Sequence, residues 1–263
     1  MPIGVIVNGA NGRVGREMLT GLAGHTDIDL LAGVDSGATS DWLALDNGCS
    51  IPMAPDLETV IAGIRPLVVV DFSSAQGAMA AARTCLPLGV NLVIGTTGLN
   101  TEDVNEIGEL SSSHGVGVVV AANFALGAVV MTHLARIAAR YFDYAEITEM
   151  HHHLKADSPS GTALATARAM AEARGRAFQM ASVEKHTLPG TRGGEVDGIA
   201  IHSQRLPGLM AHQEVLLGTA GQTLSIRHDT INRECYVPGV LIAVREVVKC
   251  RELVYGLDRL LGL

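Results

Sequence analysis

The chain has 263 residues, 48% of them hydrophobic, enough to build one large core or two modest ones. Its 27 acidic and 19 basic residues give a net charge of −8, and without a basic run nucleic acid is excluded as the main partner. Apolar runs are broken by Gly, Asp, Asn or Arg well before the roughly 18 residues that cross a bilayer, and Met1 and Pro2 lead straight into IGVIVNGANG with no leader pattern, so a cytoplasmic protein with no membrane partner is expected.

From the N-terminus, short β-branched runs alternate with helical patterns. Strands are predicted at 3–8, 30–34, 67–72, 90–95 and 116–121, with helices at 13–24, 75–88 and 101–113. Near-continuous apolar strands separated by helices imply a parallel sheet covered on both faces, the order of a doubly wound, Rossmann-like domain. After Asn123 the pattern changes. An amphipathic helix is predicted at about 125–141, with Leu126, Val129, Val130, Leu134 and Ile137 on its buried face. Strands follow at 144–150, 197–204, 211–217 and 222–228, with only one helix among them, at about 160–174. The fold class is therefore α/β at the N-terminus with an α+β layer after it. The Gly-rich and charged segment 185–196 is expected as a long mobile or partner-contacting loop. A last helix at 238–248, with proline near its start, is expected to return to the first domain. The resulting divisions are 1–123, 124–233 and 234–263.

Gly9, Gly12 and Gly15 sit between the first strand and the first helix. Glycines there permit a tight turn, close approach of a pyrophosphate to the backbone, and helix packing on the sheet. The triplet alone is also compatible with a purely structural turn. Asp35, twenty residues past Gly15 at the end of the second strand, completes a dinucleotide fingerprint. As a carboxylate it accepts hydrogen bonds from a ribose diol and repels a 2′-phosphate, which favours NADH over NADPH; Arg13 could soften that preference. Its alternative role is to cap a turn. Phe72, and Gly95 with Thr96 and Thr97, follow the third and fourth strands, where ligands of open α/β sheets bind. Phe72 is placed to pack on the cofactor and the Gly95–Thr97 backbone to fix the nicotinamide amide. The four cysteines, Cys49, Cys85, Cys235 and Cys250, fit neither zinc nor redox spacing and read as reduced thiols.

The segment EMHHHLKADSPSGTA, residues 149–163, concentrates proton donors and a cation ahead of a helix start. In an extended strand neighbouring rings point to opposite faces, so His151, His152 and His153 cannot converge on one ion and no metal is expected. His151 and His153 would share a face, in a catalytic or a structural role. Lys155 strengthens the catalytic reading, because it brings positive charge to an anion held by the amides of Gly161 and Thr162.

GANGRVG at 9–15, VDF at 70–72, GTTG at 95–98, AANFALG at 121–127, the 149–163 block and HDTINRECYVPGVLIAV at 228–244 together resemble the dihydrodipicolinate reductase family of lysine and diaminopimelate biosynthesis. The resemblance spans essentially the whole chain. It implies NADH- or NADPH-dependent reduction of a small dicarboxylate, with His151 as general acid and Lys155 supporting it. His152, Gly161 and Thr162 would bind the substrate carboxylates. It extends the cofactor set to Asn11, Arg13, Val14, Ala122, Asn123 and Phe124. Residues 1–123 would bind the dinucleotide and 124–233 would bind substrate and build a homotetramer, with hinges near 123–126 and 232–235. The chain departs from the commonest pattern at His153, Leu154 and Ala125, and in having no Arg after Asp35. The competing readings are an aspartate dehydrogenase-like enzyme and a non-catalytic dinucleotide sensor.

Overall fold

In the computed structural model, which describes residues 1–45 and 48–263, the chain divides into two compact units. Residues 1–126 and 233–263 form one, and residues 127–232 form the other. In chain order the elements are β1 (Ile3–Asn8), α1 (Arg13–Ala23), β2 (Ile28–Val34), β3 (Trp42–Ala44), β4 (Ser50–Ala54), α2 (Leu57–Ile64), β5 (Val68–Asp71), α3 (Ala75–Cys85), β6 (Asn91–Ile94), α4 (Thr101–His114) and β7 (Val118–Val120). They continue with α5 (Leu126–Ala138), β8 (Tyr144–His151), α6 (Gly161–Arg174), β9 (Gly194–Val196), β10 (Ile199–Arg205), β11 (Ala211–Thr219), β12 (Gln222–Thr230), α7 (Val237–Val247), β13 (Leu253–Tyr255) and α8 (Leu257–Leu261).

The first unit is built on an eight-stranded sheet of order β13-β7-β6-β5-β1-β2-β4-β3, parallel except for the terminal β3–β4 pair. Val68–Val70, Leu92–Ile94 and Val118–Val120 are all buried, as strands covered on both faces require. One core joins Ile6, Val69, Leu92, Ile94 and Val118 to the helical residues Ala78, Ala82 and Ile107. Strand order reverses at β1, so the carboxyl ends of β1 and β5 open a crevice between Asn8 and Asp71. Beyond the expected elements the unit also contains β3, β4, α2, β13 and α8. The strands among these are three to five residues long, and Pro52 interrupts the β4 pattern next to the edge strand β3.

The second unit carries a mixed sheet of order β12-β11-β8-β10-β9. Ile147, Val215, Leu217, Ile199 and Ile201 pack beneath Ala163, Ala167 and Met170 of α6. Two expectations change here. The apolar stripe expected to be buried on α5 is not: Val130, Leu134 and Ile137 are exposed, while Ala128, Met131 and Ala135 are buried. Small residues let the helix lie close to its neighbours, so side-chain size misidentified the packed face. Segment 185–196 also ends in order, with β9 pairing antiparallel to β10. Its hairpin turns on Asp197 and Gly198, at φ 52° and 80°, the Asp-Gly pair that a two-residue turn with positive φ at both positions demands.

Candidate active site

At the switch point of the first unit, Gly9 has φ 80°, and a Cβ there would lie 2.5 Å from the Phe72 carbonyl oxygen. A Cβ on Gly15 would lie 2.0 Å from the Gly9 carbonyl oxygen, so the helix reaches its place only with glycine. Helix α1 starts after Gly12 with no side-chain cap and no acidic residue in its first turn. By contrast α2, α3, α4 and α6 are each capped by a side chain, from Asp56, Ser74, Asn100 and Ser160. The first-turn amides of Arg13, Val14 and Gly15 are thus unspent donors backed by the helix dipole, a fit for a pyrophosphate. Gly12, immediately before them, lines a cleft of about 620 Å³ together with Gly9, Asp35, Asp56, Glu58 and Phe72, among others.

Asp35 accepts from the amides of Asn11 and Gly37, each at 2.9 Å. It therefore ties the glycine turn to the end of β2, and each oxygen retains a further lone pair for a ligand. Asp71, just ahead of Phe72 at the end of β5, is fully buried and accepts from Asn8 Nδ2 and Thr96 Oγ1, both at 2.6 Å, and from Ser73 Oγ at 3.0 Å. One carboxylate thereby fastens the ends of β1, β5 and β6. Thr96 is consequently spent internally, while Thr97 is exposed. Phe72 is half-buried and meets Phe124 edge-on at 6.0 Å. Phe124 is itself 1% exposed, so its ring is a core residue rather than a ligand contact. Ala122 is exposed, and Asn123 Oδ1 accepts from the Ala125 amide at 2.8 Å.

In the second unit the local topology assembles a different group. Strands β8 and β10 run parallel with His151 opposite Arg205 and Glu149 opposite Ser203. Both strands end at the same edge, and α6, which crosses between them, starts there. Period-two alternation puts Glu149 and His151 on the face that carries Ala145 and Ile147. Glu149 is fully buried. It accepts from His151 Nδ1 at 2.5 Å, from both Nη atoms of Arg205 at 2.8 Å, and from the Ser160 amide at 3.2 Å. Burial opposes charge on this carboxyl, yet the hydrogen bonds from Arg205, Ser203 and His151 outweigh it and hold its pKa below the usual range. Burial also lowers the His151 pKa from its ordinary 6.5; Glu149 pulls it back up, and the positive charges of Lys155 and Arg205 push it down.

The premise of a continuous extended histidine arm does not hold. Strand β8 stops at His151, and His152–Lys155 form a turn closed by the Lys155 amide on the His152 carbonyl at 3.1 Å. His153 is therefore exposed and does not share the face of His151. Lys155 is half-buried, and its Nζ lies 2.6 Å from Asp157 Oδ1. Ser160 caps α6 by accepting from the Ala163 amide at 3.1 Å. That leaves the amides of Gly161 and Thr162 without intrahelical acceptors, and Gly161 is open to solvent. His152 is half-buried beside this turn. From the sequence Arg205 reads only as local positive charge and Glu149 only as the head of the 149–163 segment, although a sharper signal exists: a Glu in the apolar phase of Ala145 and Ile147, and an Arg in the phase of Ile199 and Ile201.

Comparison with known proteins accounts for both units. The family model for dihydrodipicolinate reductase, N-terminus, matches residues 3–124, and that for dihydrodipicolinate reductase, C-terminus, matches residues 127–261. The chain is 49% identical to a 4-hydroxy-tetrahydrodipicolinate reductase of Dehalococcoides mccartyi, over all of this chain and 99% of that protein. It is 47% identical to the Moorella thermoacetica protein of the same name, over 98% of both chains. Among solved structures, a dipicolinate-bound dihydrodipicolinate reductase from a Paenisporosarcina species superposes with a TM-score of 0.88 at 40% identity, covering 98% of this chain and 99% of that one. With both family models matched in order along nearly its whole length, the chain belongs to the dihydrodipicolinate reductase family.

Proposed function

We propose that the chain reduces 4-hydroxy-tetrahydrodipicolinate to tetrahydrodipicolinate, with NADH or NADPH, in lysine and diaminopimelate biosynthesis. The observation that carries this reading is His151, hydrogen-bonded through Nδ1 to a buried carboxylate at the start of α6, with no protein partner on Nε2 among the described residues. When bound, the reduced nicotinamide supplies a hydride. The substrate needs a proton at the conjugated atom in the same event, and a histidine held through Nδ1 by a buried carboxylate, with Nε2 turned free, suits that donor. Nε2 of His151 gives the proton. The amides of Gly161 and Thr162, together with His152, receive the carboxylates of the substrate. Lys155, released from Asp157 by a competing carboxylate, supplies the balancing positive charge.

The dinucleotide is held in this reading by the backbone of Gly9, Asn11, Gly12, Arg13 and Val14, by Asp35 at the ribose, and by Phe72, Gly95, Thr96, Thr97, Ala122, Asn123 and Phe124 around the nicotinamide end. Thr96 and Phe124 contribute through backbone, since their side chains are engaged inside the fold. Assembly into a homotetramer belongs to the same reading. Tyr144 and Leu216 lie exposed on the sheet face opposite the α6 core, an apolar surface that a second copy would cover. A coupled assay tests the function: NADH oxidation should depend on the condensation product of pyruvate and aspartate semialdehyde. No oxidation with either NADH or NADPH would reject it.

A further inference from the structure

Resting on the assignment of His151 as proton donor, we infer that Glu149, clamped by Arg205, is the positioning residue that fixes the tautomer and orientation of that histidine. Glu149 is 0% exposed, and hydrogen bonds from three separate segments converge on it. A bidentate guanidinium at 2.8 Å on both oxygens leaves the carboxylate no rotational freedom. An acceptor fixed in this way 2.5 Å from Nδ1 requires the proton on Nδ1. The imidazolium therefore carries one proton held by Glu149 and one, on Nε2, to give away. After transfer to the substrate the ring is neutral with Nδ1 still protonated, and Glu149 remains ionised throughout.

The arrangement also sets the charge around the ring. Facing His151 are Glu149 on its own strand, Arg205 on β10, Lys155 in the following turn, and Asp157, which pairs with Lys155 at 2.6 Å. On its other side β11 sets uncharged Ala211 opposite His151 and Gln213 opposite Glu149. Glu149 is thus the only anion bonded directly to the ring among the described residues, and it opposes two cations. Without it the imidazolium loses its one stabilising partner, and the acid form survives only at lower pH.

The test combines a variant with a measurement on the unaltered protein. Glu149→Gln should lower kcat roughly tenfold or more, a part of the ~10²-fold that a placed acid supplies. It should also move the falling limb of the pH profile to lower pH, with KM for the nucleotide unchanged. A limb that stays in place overturns the inference. Should the variant fail to fold, 15N shifts of His151 in the wild-type protein, identified by their loss in His151→Gln, decide the matter. Above the titration they should report Nδ1 protonated and Nε2 bare, and the opposite tautomer overturns the inference. Loss of activity in His151→Gln with an unmoved Glu149→Gln limb sinks only the positioning role, whereas full activity in His151→Gln sinks the donor assignment itself.

Discussion

Arg205 stands opposite His151 in the parallel register of β8 and β10, yet its guanidinium closes on Glu149, two residues back from His151, rather than on the ring. The cation thus neutralises the buried carboxylate without taking the hydrogen bond that Glu149 accepts from His151. Breaking such a pair from one side leaves an uncompensated buried charge, and that makes the cluster intolerant of single substitutions. It also leaves His151 Nε2 without a protein partner among the described residues.

Replacing His151 by Gln removes the proposed proton donor and leaves the first unit untouched. A fall in kcat of about 10²-fold or more is expected, the scale of a lost general acid. The dissociation constant for NADH, measured by fluorescence titration, should remain near that of the wild type. Turnover close to wild type would withdraw the role from His151.

The pH dependence follows from the direction in which His151 is shifted. Burial takes its pKa below 6.5, and Glu149 only partly restores it. The donor must be protonated, so kcat/KM, which reports the free enzyme, should fall as pH rises through a limb below 6.5. A dianionic substrate brings negative charge to the ring and raises its pKa, so the limb in kcat should lie at higher pH. Profiles in which the two limbs coincide above 6.5 would contradict this order.

Lys155→Ala should impair turnover or substrate binding, because the charge that now rests on Asp157 would be lost to an incoming carboxylate. Steady-state parameters equal to wild type for both substrates would remove Lys155 from the site.

Much of the fold was legible because its signals are local. Strands β5 and β7 are built on runs of three valines, and β1 and β6 are rich in valine and isoleucine; their helices carry clear boundaries, such as Asn100 and Asp103 forming a capping box on α4. His151, Gly161 and Thr162 were legible as a motif. What remained hidden depended on partners distant in sequence. Glu149 and Arg205 are 56 residues apart and meet only through the β8–β10 register. The buried face of α5 was misjudged because alanines, not the larger Val130 and Leu134, make the packing contact. The extended reading of His152–Lys155 failed because a turn immediately follows β8.

Gly15→Ala tests the glycine turn as a steric requirement. The new Cβ would lie 2.0 Å from the Gly9 carbonyl oxygen, 2.8 Å from its carbon and 3.0 Å from Ala10 Cα, all backbone atoms that cannot rotate away. Helix α1 must move off the sheet, at a cost on the order of 1–3 kcal/mol. The expected result is a melting temperature several degrees lower together with weaker NADH binding, because the displaced α1 amides no longer converge on the pyrophosphate site. A variant with wild-type melting temperature and NADH affinity would show that the turn tolerates a side chain.

Cofactor choice should follow the charge of the cleft in the first unit. Asp35, Asp56 and Glu58 line it, and no Lys or Arg is among its lining residues. Asp35 is held in place by the Asn11 and Gly37 amides, so it cannot swing aside for an added phosphate. Three carboxylates near a 2′-phosphate repel it, and the exposed Arg13 at the start of α1 is a cation placed to offset them. kcat/KM with NADH should therefore be at least as high as with NADPH, and Arg13→Ala should lower kcat/KM for NADPH more than for NADH. A strong preference for NADPH in the wild-type protein would mean that Asp35 does not meet the ribose at all and serves only to tether the glycine turn.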